Sequence, residues 1–201
     1  MKMTCNRILV ILLLCSPFLL LSQELEDLNL LITDSTWKKE VFTFPLSFAK
    51  GIPYKGVEEA QFPEGWRKKE SDEHWSYVFV WKIDLDAELS AKELEVDLQT
   101  YFDGIMNMKA NGGEEAGILN TTVLLVEKEP AKANPRYVGK VKTFDAFFAK
   151  QAFVLNVQID MHYCNEEKKS IIIFRFSPKD FKDDVWLKLN QVILHPNSCD
   201  P

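Results

Sequence analysis

The stretch Trp75-Ser76-Tyr77-Val78-Phe79-Val80-Trp81-Lys82-Ile83-Asp84-Leu85 carries a large apolar side chain at every odd position. A period of two puts those side chains on one face of an extended chain, which a helix does not do. The even positions are polar at the ends, at Ser76, Lys82 and Asp84, but Val78 and Val80 in the middle are apolar. Such a strand is covered on both faces and lies inside its sheet.

The rings of Trp75, Tyr77, Phe79 and Trp81 each bury roughly 150–250 Å², too much to stand in water. The one long helix supported by the pattern follows this strand, over about 90–109. Ser90 and Glu93 have the spacing of a capping box, and Leu94, Leu98, Tyr101, Phe102 and Ile105 form its stripe, with Lys92, Glu95, Gln99 and Asp103 toward water. The small Val78 and Val80 read as the floor beneath that helix. The aromatic row then faces the other way, sealed by a curled sheet and the N-terminal segment or open as a pocket. In the open version Trp75, Tyr77 and Trp81 are candidate ligand-binding residues for a small apolar or carbohydrate ligand.

The remaining pattern is strand-rich. Phe42, Phe44, Leu46 and Phe48 alternate, with Pro45 marking an edge, and Val57 to Phe62 makes a short strand. Thr121 to Glu127 is apolar on both sides and reads as interior. Tyr137 to Phe148, Phe153 to Cys164 and Ser170 to Phe176 follow. In the second of these Phe153, Leu155, Val157, Ile159, Met161 and Tyr163 face a core, and Asn156, Gln158, Asp160 and His162 face water. Val185, Trp186, Leu189 and Val192 recur at helical spacing. The fold class is α+β: a single curled, mainly antiparallel sheet of about six to seven strands, one main helix on one face and a short C-terminal helix.

Lys2 and Arg7 precede an apolar run from Ile8 to Leu21, and Ser22 is a small residue suited to cleavage. Residues 1–22 therefore read as a cleaved signal peptide, 23–36 as a flexible lead-in and 37–201 as one domain. A lipid on Cys15 is the lesser alternative, because Leu14 precedes it where a small residue is wanted. Once Cys5 and Cys15 leave with the signal, Cys164 and Cys199 remain and read as a disulfide in a periplasmic or extracellular protein. A bridge of that span is worth on the order of 4 kcal/mol. No span crosses a membrane in the mature chain. The whole sequence carries a net charge of −6, which disfavours nucleic acid, and the basic run Arg67-Lys68-Lys69 is followed at once by Glu70, Asp72 and Glu73.

The sequence contains no nucleophile elbow, phosphate loop, dinucleotide fingerprint or zinc-protease helix, and no cofactor is expected. Glu73 and His74 form the best acid/base pair available, at the mouth of the aromatic strand. Asp160, His162 and Cys164 share a strand face, but Cys164 is better used in a bridge and no metal site is assigned. The expected function is an exported, non-catalytic binding or interaction module whose partner is a small apolar or carbohydrate ligand or an envelope protein. The alternatives are a hydrolase-like envelope enzyme using Glu73 and His74, and a purely structural envelope subunit.

Overall fold

The computed structural model describes residues 28–111, 120–128 and 136–199. The expected signal peptide with Cys5 and Cys15, the helix-ending Gly112 and Gly113, and most of the turn before Tyr137 lie outside the described residues. In chain order the elements are β1 (Leu31–Ile32), β2 (Lys38–Phe44), β3 (Gly56–Phe62), β4 (Tyr77–Ile83), α1 (Ala91–Asn111), β5 (Thr122–Glu127), β6 (Tyr137–Phe144), β7 (Ala152–Cys164), β8 (Lys169–Ser177), α2 (Val185–Gln191) and β9 (Ile193–Leu194). A 3-10 turn, Pro196–Cys199, follows.

Seven strands pair in the order β2-β3-β4-β8-β7-β6-β5, every pair antiparallel. Helix α1 carries the chain from β4 across one face to the far edge, and β5 to β8 return as a meander until β8 pairs with β4. The capping box forms as the spacing predicts: Ser90 N–H donates to Glu93 Oε2 at 2.8 Å, and Glu93 N–H to Ser90 Oγ at 3.3 Å. The sheet is antiparallel throughout but not strongly curled.

Helix α1 covers the aromatic face, not the valine face. Tyr101 stacks on Phe79 with ring centroids 5.0 Å apart, and Phe102 meets Phe176 edge to face at 5.4 Å. Val78, Val80, Ile171 and Ile173 pack instead against Trp186 and Leu189 of α2 and against Leu30 and Leu31. The reason is volume. A flat layer of rings on β4 and β8 needs the length of the five-turn α1 stripe, whereas the hollow left by small side chains is filled by one tryptophan from a short helix. Gly104, which lowers helix propensity, is there for approach: a Cβ on it would lie 1.9 Å from the Phe48 carbonyl oxygen, so the loop after β2 rests directly on α1.

Two further expectations are corrected. The strand 122–127 is not interior but the sheet edge, with Leu124 and Val126 exposed and only Leu125 buried. Its apolar outer residues imitate an interior strand. Two carboxylates read as water-facing protect its outer backbone: Glu95 accepts from Leu125 N–H at 3.0 Å and Asp103 from Thr121 N–H at 2.7 Å. The lead-in, expected to be flexible, is docked from Leu28 onward. Leu30 N–H donates to the buried Glu59 carboxylate at 2.6 Å, Leu30 O accepts from His195 N–H at 2.8 Å, and β1 pairs with β9.

The Cys164–Cys199 disulfide is present, closing a sequence separation of 35 with Cα atoms 5.2 Å apart. It fastens the tail to the end of β7.

Because Phe102 is fully enclosed between α1 and the ring layer, Phe102→Ala is expected to lower unfolding free energy by about 3–5 kcal/mol. Leu187→Ala, at a residue 65% exposed on α2, is expected to change it by about 0.5 kcal/mol or less. Urea denaturation followed by circular dichroism compares the two.

Candidate functional site

The aromatic row does not line an opening. Tyr77, Phe79 and Trp81 lie within β4 and Trp75 just before it, where its backbone is left-handed at φ 58°. Trp75, Tyr77 and Trp81 are 4%, 5% and 0% exposed beneath α1 and the loops 62–75 and 145–153. Phe147 and Phe148 close over Trp66 and Trp75 with ring planes near perpendicular. The pocket expected over Trp75, Tyr77 and Trp81 is therefore replaced by sealed core, because the long helix stands where the mouth would be.

Within that core sits a carboxylate that no sequence pattern singled out. Glu58 on β3 is fully buried; Trp81 Nε1 donates to its Oε2 at 2.7 Å and Tyr101 OH to its Oε1 at 2.9 Å. Burial pushes its pKa up to about 7, the two hydrogen bonds pulling the other way and Glu40 adding a smaller rise. Its neighbour Glu59 is equally buried on the opposite face and holds Leu30 and Gln61. Two consecutive acids inside a strand were the available signal, since alternation sends one to each face and an interior strand has no wet face.

Glu73 and His74 do not face one another as an acid/base pair. Glu73 Oε1 accepts from Lys188 Nζ at 2.6 Å and its Oε2 from Gly65 N–H at 2.9 Å, and the Lys188 hydrogen bond holds the carboxyl below its ordinary range. His74 Nδ1 lies 3.2 Å from Trp66 O, and its ring packs on Phe148 at 5.0 Å. Each side chain fastens the 62–75 loop to a different neighbour. Glu73 also borders a groove of about 550 Å³ with Asp34, Trp37 and Gln191. The charged groups there are already partnered: Glu73 by Lys188, and Asp34 by Thr36.

The arrangement with unused chemistry is on the other face of the sheet. A cleft of about 470 Å³ lies between β7 and β8 on one side and α2 and β9 on the other, lined by Gln158, Asp160, His162, Ile173, Arg175, Asn190, Ile193 and Leu194. Its base is a buried ion pair. Arg175 bonds to Asp160 Oδ2 and also donates Nε–H to Leu189 O at 2.9 Å and Nη2–H to Val192 O at 2.8 Å. The guanidinium thus satisfies carbonyls at the end of α2 and ties that helix to the sheet. Asp160 Oδ1 and Gln158 Oε1 have no hydrogen-bond partner among the described residues and are shielded from bulk water.

Alternation along β7 placed Asp160 and His162 on one face but read that face as simply wet. Asp160 is in fact buried, because Arg175 arrives from the next strand, where the register sets it opposite Gln158. Cys164 continues the same face, but its sulfur is committed to the bridge, and no group of three metal-ligating side chains occurs among the described residues. Comparison with protein-family models, with curated proteins and with solved structures finds no match to this chain.

Glu58 and the ion pair each give a measurable consequence. As pH rises, the unfolded chain loses the Glu58 proton near 4.5 while the folded protein keeps it until about 7, so stability falls through that window and then levels off. The loss is on the order of 3 kcal/mol. Chemical denaturation at pH 5 and pH 8 is expected to show it, and Glu58→Gln to abolish it; an equal pH dependence in that variant contradicts the assignment. Asp160→Ala, which strands a buried guanidinium, is expected to cost about 3–5 kcal/mol in the same assay.

Proposed function

We propose that this chain is an exported, non-catalytic binding module, periplasmic or extracellular, whose recognition site is the cleft between β7–β8 and α2–β9. One observation carries the reading: the Cys164–Cys199 bridge closes the end of β7, the strand that supplies Gln158, Asp160 and His162, and anchors the tail that follows Ile193 and Leu194. A disulfide so placed keeps the cleft wall in register where thiols are oxidised. The apolar run after Lys2 and Arg7 supports the same compartment. No helix among the described residues is long and apolar enough to cross a membrane.

Non-catalytic recognition fits the chemistry at hand. Glu73 and His74 are each engaged in holding a loop, and the cleft combines a fixed ion pair with apolar walls. Such a surface orients a ligand or an envelope protein without a nucleophile beside a base.

Two measurements test this. Alkylation of living cells before lysis is expected to leave Cys164 and Cys199 unmodified in a mature chain starting after Ser22; a full-length chain with both thiols alkylated contradicts export. Cys164→Ser with Cys199→Ser is expected to lower stability by about 4 kcal/mol. In that variant, hydrogen exchange is expected to accelerate in α2, β9 and the tail while α1 stays unchanged; uniform acceleration contradicts a local role for the bridge.

A further inference from the structure

Resting on that reading of the cleft, we infer that the partner is a protein, and that it lays an acidic surface with an aliphatic centre on the bare sheet face beside the cleft. The face belongs to β5, β6 and the start of β7, on the side away from α1. Register sets Leu124 beside Lys140, Val126 beside Val138, and Lys142 beside Val154. Leu124, Val126 and Val154 are 63%, 57% and 40% exposed, and no residue of β5 or β6 belongs to the cluster under α2. Leu124, Val126 and the half-buried Val138 are direct neighbours, which makes a patch rather than scattered exposure. The row through Val126 and Val138 ends at Gln158, which lines the cleft, so the two surfaces are continuous.

Charge selects the partner. Lys140 and Lys142 stand on this face, and Lys128 continues it one step past β5, where its N–H donates to Arg136 O at 2.8 Å. Lys140 donates to the neutral Asn156 side chain at 2.8 Å, and among the described residues none of the three lysines has a carboxylate partner. Glu127 alternates to the other side and is held by Arg136 at 3.2 Å. A positive, aliphatic face on a chain of net charge −6 complements an acidic patch and steers it to this spot. Other occupants fit less well. A second copy docked face to face would set lysine against lysine. An anionic bilayer is repelled by the net charge, and these strands offer no Trp or Tyr on this face to anchor among headgroups. A strand added at the β5 edge finds the N–H groups of Thr121 and Leu125 already taken by Asp103 and Glu95. Three strands about 5 Å apart and about 20 Å long offer roughly 300 Å². That is less than the ~800 Å² per partner of a standard interface, so the partner also reaches into the cleft.

The test is amide chemical-shift mapping on the oxidised protein with the capped peptide Glu-Leu-Glu-Val-Glu-Leu-Glu and its counterparts carrying glutamine or lysine in place of glutamate. The acidic peptide is expected to shift amides of β5, β6 and β7, to bind about tenfold more tightly than the glutamine peptide, and to lose that preference in high salt. Lys140→Glu with Lys142→Glu is expected to erase the preference. Lys128→Glu with Lys142→Glu, which leaves the Lys140–Asn156 bond intact, decides the matter should the first pair fail to fold. Shifts confined to α2 and β9 overturn the face while leaving the cleft a recognition site, and no shift at either surface with any peptide overturns both readings. Equal binding of the three peptides overturns the acidic partner. A dimer in sedimentation equilibrium, or co-sedimentation with phosphatidylglycerol vesicles, that Leu124→Ser removes overturns the proposal in favour of a second copy or a lipid surface.

Discussion

The contact on which the molecule depends is the layer of rings between the sheet and α1. Phe79, Trp81, Phe174 and Phe176 present one continuous aromatic surface, and Tyr101 and Phe102 settle into it. Burial of that area is a large favourable contribution to folding. It also determines which face can do something else. With α1 lying along the rings, the opposite face receives, among the described residues, the short α2, the tail and the N-terminal segment. Cover by such small pieces is incomplete, and a cleft remains over β7 and β8.

The polar groups trapped inside show how the two faces are kept apart in chemistry. Glu58, under the ring layer, is held by Trp81 and Tyr101 and stays protonated toward neutral pH because burial penalises its charge. Glu59, one residue on and facing the other way, anchors Leu30 and so the strand that pairs with β9. Arg175 serves the same face differently, joining a sheet aspartate to the carbonyls that end α2. The cover of the far face is therefore fastened through a carboxylate, a guanidinium and a disulfide in addition to the apolar cluster around Trp186 and Leu189.

Much of the fold was legible. Strict alternation from Trp75 to Trp81 and from Phe153 to Tyr163, the Ser90–Glu93 box and the expected pairing of Cys164 with Cys199 led to the antiparallel α+β architecture, the main helix and the bridge. Which face α1 chooses was not legible, because alternation separates the faces of a strand without saying which partner has the matching shape. Small Val78 and Val80 suit a helix in the abstract, but here Trp186 fills that hollow. The edge position of β5 was hidden because Leu124 and Val126 are apolar yet exposed. The cleft was only half visible: Asp160 and His162 could be placed side by side, but Arg175 joins them through the register of the β7–β8 hairpin, which alternation within one strand does not set. Glu73 and His74 looked like a pair only because they are adjacent.

Native-state hydrogen exchange under conditions where opening is at equilibrium tests the central claim most directly. If the rings form a sealed core and the far face carries the adjustable cover, amides of α1, β4 and β8 exchange only through global unfolding. Those of α2, β9 and the 3-10 turn then open at lower free energy, and sooner still when the bridge is reduced. An α1 that opens on its own ahead of α2, exposing the row from Tyr77 to Trp81, would contradict the account, since the long helix would then be a lid over an aromatic cavity.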